Sequence, residues 1–367
     1  MKFLPLLPLL CLLAVQLPVS ELRAQGTITG TVVDDSTGVP LMHANVFLEQ
    51  TTFGCAADSA GRFAITHIPT GTYRLIASLV GYETVIGAVA LYDTASHRFD
   101  LRLRPTILQT PPVDVSGVPP VEWMRNLEEF RRLLIGTTPN ARRCTIVNPE
   151  ILNFSVDDGH GGFEVDAGTA PLVIENHALG YRLSLVIRKF FRSDEKLYSD
   201  VIPRFEPLKA RSADEEREWI VNRMRAYRGS LMHFLRSLLA GTLRAEGFEL
   251  YHGDRTLDGR PMEMEPSSLL SGGSTPSTRM LRFDDCLVVR YVNEEEDRAY
   301  DGFEGRLFHP PGVSSGQVSW LCLTKSDVTI ALDGHVVDTF GTIVRGYWAF
   351  ERAAEMLPRD YQPGLQR

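Results

Sequence analysis

From Gly30 to Tyr82 apolar residues recur in short alternating runs, at Thr31 to Val33, Ala44 to Leu48, Arg62 to Thr66 and Thr72 to Ser78. Side chains on a strand point to opposite faces in turn, so this period predicts short strands with one buried face. Turn chemistry separates the runs. Asp34-Asp35-Ser36-Thr37-Gly38 is a polar cluster, after which Val39-Pro40-Leu41 enters the next strand. Asp58-Ser59-Ala60-Gly61 supplies an aspartate that caps its own backbone and a glycine that takes positive φ. Ile68-Pro69-Thr70-Gly71 makes a third turn, Gly81-Tyr82 closes the unit, and Phe99, Leu101 and Leu103 alternate as a last strand. A turn after about every ten residues is the spacing of a small all-β sandwich.

The pattern then changes. Pro105, Pro111, Pro112, Pro119 and Pro120 stand among small and polar residues, which predicts a semi-rigid extended connector. Val121 to Ile135 carries Trp123, Leu127, Phe130 and Leu134 at helical spacing, and Gly136 stops it. Strand-like segments follow at Glu150 to Asp157, Gly162 to Asp166, Leu172 to Glu175 and Tyr181 to Phe190. Ser212-Ala213-Asp214-Glu215 reads as a capping box opening one long helix. Its stripe is Trp219, Ile220, Tyr227, Leu231, Phe234, Leu235 and Leu238, with Gly229 as a bend in its middle. Further strands are expected at Phe248 to His252, Thr278 to Phe283, Leu287 to Asn293, Trp320 to Thr324 and Val328 to Leu332, with a hairpin signal at Asp333-Gly334. Gly346-Tyr347-Trp348 opens a short final helix. Strands, a helix and strands again predict an α+β domain with one long helix.

Ahead of all this, Lys2 precedes an apolar run from Phe3 to Val19, and Leu22-Arg23-Ala24 precedes Gln25. That is the layout of a cleaved signal peptide over residues 1–24. Pro5, Pro8 and Pro18 interrupt the run, and no later segment approaches the roughly 20 apolar residues of a spanning helix. The expected organisation is therefore a leader at 1–24, a β-sandwich at 25–104, a linker at 105–120 and an α+β domain at 121–367. The net charge of −8 argues against nucleic acid as a partner, because phosphates demand a basic face. After the leader four cysteines remain, Cys55, Cys144, Cys286 and Cys322, too sparse for a disulfide scaffold and without zinc spacing. One pair among Cys144, Cys286 and Cys322 and buried free thiols are both open.

Gly30, Val32, Pro40, Leu41, Ala44, Val46, Thr51, Gly54, Asp58, Gly61, Phe63, Pro69, Gly71, Tyr73, Leu75, Gly81 and Tyr82 together closely resemble the carboxypeptidase regulatory-like domain. The resemblance covers roughly residues 27 to 104 and implies a transthyretin/Ig-like sandwich. It also implies an exported envelope protein in a gram-negative bacterium, periplasmic or outer-membrane associated. In relatives this non-catalytic module stands ahead of another domain, TonB-dependent outer-membrane receptors included. Its simplest role is a folded spacer. Asn140 to Cys144, Asn148-Pro149, Ile174-Glu175-Asn176, Leu179-Gly180-Tyr181, Tyr227-Arg228-Gly229-Ser230 with His233-Phe234, and Gly346-Tyr347-Trp348 resemble the region that follows the module in many exported envelope proteins. That likeness implies kinship without a mechanism.

Candidate chemistry is thin. A zinc peptidase needs a His and a Glu closely spaced plus a distant His. The nearest approach, His335-Val336-Val337-Asp338, would project its two side chains oppositely on a strand. Gly312-Val313-Ser314-Ser315-Gly316 matches the nucleophile elbow in letters, but a strand follows it where the elbow needs a helix. Glu294-Glu295-Glu296-Asp297 reads as a solvated charged loop. The remaining constellation is Tyr227, Ser230 and His233 along one helix edge, joined by Asn222, Arg223 and Arg236, with Glu175, Asn176 and Tyr181 facing it from the sheet. The simpler account is a polar edge hydrogen-bonded to its neighbours, because Ser230 and His233 lack a third orienting group. The leading expectation is an exported non-enzymatic protein that binds or scaffolds an envelope protein or glycan, without a cofactor. The alternatives are an envelope hydrolase using His233, Ser230, Tyr227 and Glu175, and a fragment-like relative of TonB-dependent receptors.

Overall fold

The computed structural model describes residues 25–106, 120–157, 162–193, 197–252, 266–303 and 315–364. The expected leader, nearly all of the Pro-rich connector and Ser314 lie outside the described residues.

The first unit is an all-β sandwich. Its strands are β1 (Gln25–Asp34), β2 (Asn45–Leu48), β3 (Gly54–Ala56), β4 (Arg62–Pro69), β5 (Gly71–Ser78), β6 (Val85–Leu91) and β7 (Ser96–Leu103). One sheet has the order β4-β1-β7 and the other β3-β2-β5-β6. Alternate residues of β1 point inward, so Ile28 and Val32 meet Phe63, Ile65, Leu75, Val89 and Leu91 between the sheets. The turns work as their sequences dictate: Asp34 Oδ1 accepts from the amides of Ser36 and Thr37, Asp58 Oδ1 accepts from Ala60, and Gly61 sits at φ +70.

The rest of the chain is α+β. Helix α1 (Val121–Leu134) leads into a six-stranded sheet of β8 (Cys144–Ile146), β9 (Asn153–Asp157), β10 (Gly162–Asp166), β11 (Leu172–Asn176), β12 (Tyr181–Arg192) and β13 (Leu197–Pro207). The long β12 carries β11 and β10 along one edge and β13 along the other. Phe130 of α1 meets Phe190 edge-on at 4.8 Å and Phe154 at 6.0 Å, and the indole of Trp123 donates to Leu152 O.

Then come α2 (Ala213–Tyr227), α3 (Leu231–Ala240), β14 (Phe248–His252), β15 (Leu270–Gly272), β16 (Thr278–Leu281), β17 (Cys286–Tyr291), β18 (Gln317–Leu323), β19 (Val328–Ala331), β20 (Thr342–Gly346) and α4 (Tyr347–Phe350). These strands form the sheets β14-β17-β18-β20 and β15-β16-β19. Phe234, Leu235 and Leu238 of α3 pack onto Phe248, Leu287, Val289 and Trp348. Cys286 and Cys322, opposite each other on β17 and β18, form a disulfide, while Cys55 and Cys144 are free thiols.

Three differences from expectation have physical causes. The single long helix is two helices: Arg228 is extended (φ −62, ψ 134), Gly229 takes φ +74, and Ser230 starts α3 as its N-cap. Strand β13 escaped notice because Pro203, Pro207 and charged residues break its alternation, yet Ile202 and Phe205 are fully buried. Finally, the sandwich is docked rather than a free-standing spacer. Phe47 of β2 and Ile76 of β5 pack on Ile202 of β13 with Val186 beside them. Backbone bonds run from Gln50 N to Pro203 O (2.7 Å), Phe205 N to Thr51 O (3.0 Å) and Arg359 N to Gln50 O (2.7 Å).

Candidate functional site

The break between α2 and α3 organises a region where expected site residues meet a cavity. Ser230 Oγ donates to Tyr227 O at 2.7 Å and accepts from His233 N at 3.2 Å, which is N-cap geometry. His233 is 4 % exposed, and its Nδ1 accepts from the Gly229 amide at 3.2 Å. With Nδ1 accepting, the proton of the neutral ring belongs on Nε2, which lies 3.3 Å from Glu246 Oε2. Tyr227 and Phe248 flank the ring at 4.8 Å each, and Tyr291 lies at 5.7 Å. Burial holds the imidazole below its ordinary pKa, and Glu246 pulls it partly back. Both ring nitrogens and the Ser230 proton are therefore committed to neighbours. The pair does not form a nucleophile and base.

Two segments that stood out in the sequence come together here. Trp348 Nε1 donates to Gly229 O at 2.7 Å, and Trp348 N donates to Ser319 Oγ at 3.1 Å. The Tyr227-to-Ser230 turn is thus fixed from one side by His233 and from the other by Trp348.

Beside this turn lies an open cleft of about 650 Å³. Tyr227, Arg228, His233, Arg236, Glu246, Tyr291, Asn293 and Glu294 are among the residues that line it. Arg236 is a structural part of the wall: its three guanidinium nitrogens donate to the carbonyls of Asp333, Tyr361 and Arg359 at 2.7–2.9 Å. Asn293 Nδ2 donates to Glu246 O at 3.2 Å. Glu294 is half-buried; burial raises its carboxyl pKa, opposed by Arg228, Arg225 and a hydrogen bond from Gln317.

Of the expected site residues, Tyr227 and His233 line the cleft, and Ser230 sits behind it as a cap. Glu175, Asn176 and Tyr181 do not line it. Glu175 accepts from Arg182 at 2.5 Å and lies 3.3 Å from His177, and Arg182 holds its carboxyl below the usual range. Asn176, fully buried, donates to Ala354 O and accepts from the amides of Ala178 and Leu179. Tyr181 is buried under the Arg223 guanidinium, 4.2 Å from the ring centroid, and burial pushes its phenol up to about 12.

Arg228, Glu246, Tyr291, Asn293 and Glu294 are among the lining residues that the sequence did not single out. The 294–297 charge run is not simply a solvated loop: Glu294 lines the cleft, Glu295 accepts from Gly316 N, and Asp297 caps Ala299 N. Arg228 carried a signal, since it lies within the same Tyr-Arg-Gly-Ser segment as Tyr227. Among the described residues no three His, Cys, Asp or Glu side chains gather as a metal site.

Comparison with known proteins bears on the first unit. Residues 28–113 match the CarboxypepD_reg-like domain family, so the chain carries a carboxypeptidase regulatory-like domain. A TonB-dependent receptor of Formosa agariphila is 37% identical over 76 residues, which is 21% of this chain and 7% of that receptor. The chain thus spans a small fraction of that relative's length. Among solved structures, Klebsiella pneumoniae 5-hydroxyisourate hydrolase overlaps at 19% identity, covering 22% of this chain and 92% of that one, with a TM-score of 0.19. The Bacillus cereus major pilin subunit BcpA overlaps at 11% identity, covering 23% and 31%, also at 0.19. A putative carbohydrate binding protein of Bacteroides uniformis overlaps at 8% identity, covering 50% and 79%, again at 0.19. At scores this low the fold assignment rests on the sheets themselves.

Proposed function

We propose that this chain is an exported, non-enzymatic envelope protein that binds an envelope protein or glycan in the cleft beside the α2–α3 break. The regulatory-like sandwich serves as its docked accessory. The observation that carries the reading is the cleft itself: concave, lined by aromatic rings and convergent polar groups, and containing no free nucleophile–base pair. Two further points support it. A disulfide between Cys286 and Cys322 suits an oxidising compartment outside the cytoplasm. A TonB-dependent receptor is 37% identical to this chain over 76 residues, which fits the envelope. No helix among the described residues is long and apolar enough to cross a membrane.

The test is fractionation of cells expressing the tagged chain, followed by crosslinked capture from the envelope fraction. The expected result is an oxidised chain in the envelope whose captured partner is lost with Arg228→Ala but kept with Arg182→Ala, a residue that does not line the cleft. A cytoplasmic chain with reduced Cys286 and Cys322, or capture indifferent to Arg228, would overturn the proposal.

A further inference from the structure

Resting on the reading of the cleft as a binding site, we infer that its ligand is a neutral, hydroxyl-rich saccharide. The lining groups divide into those already committed within the protein and those left for a ligand. Arg236, Ser237, His233 and Asn293 each spend hydrogen bonds on the protein itself. The Arg228 guanidinium makes no hydrogen bond or ion pair among the described residues. It offers up to five donors in a planar fork. Glu246 bonds His233 through one oxygen and is half exposed. Glu294, also in the lining, has spare acceptor capacity beyond the bond from Gln317.

Charge then excludes most ligand classes. An anion drawn to Arg228 would stand against both carboxylates, and a cation drawn to those carboxylates would stand against Arg228 and the fixed Arg236 charge. Bringing like charges together in a partly desolvated cleft costs several kcal/mol. A peptide anchored by side chains needs deep apolar pockets, whereas the apolar lining is Met224, Ala240, Ala245 and Pro363 with the tyrosine rings. What remains is a neutral molecule with donors and acceptors on the same carbon frame. Vicinal hydroxyls donate in pairs to a carboxylate and accept from a guanidinium, and the carbon face of a sugar ring lies against an aromatic side. A volume of about 650 Å³ suits a ligand of disaccharide size.

The purified, oxidised chain is applied to a printed array of neutral, uronic-acid and amino sugars. The strongest disaccharide is then titrated by NMR against wild type, Arg228→Ala, Glu294→Ala and, as a control outside the lining, Arg182→Ala. Signals confined to neutral sugars are expected, with affinity falling at least ~10-fold in both cleft variants, the loss of one charged hydrogen bond. The control is expected to bind like wild type. Preference for uronic or amino sugars overturns the inference. So does a blank array when the same cleft variants abolish partner capture, which leaves a binding cleft with a protein ligand. A blank array with capture indifferent to the variants overturns the binding cleft as well.

Discussion

Gly229→Ala tests whether the α2–α3 break is the element that shapes the cleft. Gly229 sits at φ +74, where an L side chain costs about 1–2 kcal/mol. A methyl there would also press on Gln317 Oε1 and lie 2.8 Å from Tyr291 Cδ1. Overpacking of that kind costs about 1–3 kcal/mol. The turn has little freedom to relieve the clash, because its amide is held by His233 Nδ1 and its carbonyl by Trp348 Nε1. The sum is a loss of about 2–5 kcal/mol. Gly241→Ala separates the two contributions: it sits at φ +70 with nothing within 4 Å of an added Cβ. That variant is expected to lose only the conformational part, about 1–2 kcal/mol. Urea unfolding followed by tryptophan fluorescence reads both, with Trp348 reporting directly from the turn. Ligand titration of Gly229→Ala is expected to show at least a ~10-fold weakening, because the displaced groups are Tyr291 and the neighbouring Arg228. Equal destabilisation by the two alanines would refute the steric argument. Unchanged binding in Gly229→Ala would refute the link between the turn and the cleft.

The Cys286–Cys322 disulfide closes a loop of 36 residues, so a Cys286→Ser/Cys322→Ser double variant is expected to lose about 3–4 kcal/mol in urea melts. A loss under about 1 kcal/mol would show that the loop is already ordered without it. His233 is held below its ordinary 6.5 by burial, so its neutral form is the one the fold prefers. Its contribution is complete above about pH 6.5 and is lost as pH falls through the lower folded value. NMR titration of the imidazole is expected to give a midpoint below 6.5, and a midpoint at or above that value would remove the Gly229 hydrogen bond from the argument. Arg359, 3 % exposed, is paired with Asp333 at 2.7 Å and donates to Thr72 O of the sandwich at 3.1 Å. Arg359→Met leaves the Asp333 charge unpaired, with an expected cost of about 3–5 kcal/mol. Hydrogen exchange should accelerate at the Gln50 to Thr52 segment, and unchanged exchange there would mean that Arg359 does not hold the seam.

What the sequence reveals and conceals here follows from the range of the interactions. The sandwich was legible because its signals are local. Asp58 caps its own turn, Gly61 takes positive φ, and β1 alternates along its whole length. Helix α1 was legible for the same reason, with Phe130 and Leu134 buried as the 3.6-residue period requires. The break at Gly229 was concealed because the apolar stripe of α3 continues that of α2 in phase, so periodicity alone reads one helix. The cleft was concealed more deeply. Its walls come from residues 224–246, 291–294 and 363, and no segment by itself marks a cavity. Glu294 looked like one member of an exposed charge run until the fold placed it beside Arg228 and Arg225. Glu175, Asn176 and Tyr181 do have structural partners, but they do not line the cleft.

The docking of the sandwich had a signal of its own, and it changes how the two halves are related. A strand with one solvated face alternates, whereas a strand covered on both faces reads as a continuous apolar run. Val46-Phe47-Leu48 and Leu75-Ile76-Ala77 are such runs, and all six residues are buried. One face fills the sandwich core and the other meets Ile202. The same stretch of chain that seals this seam also builds the cleft wall. Arg359 reaches into the sandwich through Thr72 and Gln50, while the carbonyls of Asp333, Arg359 and Tyr361 hold Arg236 in place. Loosening the sandwich therefore exposes Phe47 and Ile76 and removes an anchor of the segment that fixes Arg236. The regulatory-like unit packs against the domain that holds the cleft rather than standing apart as a folded spacer.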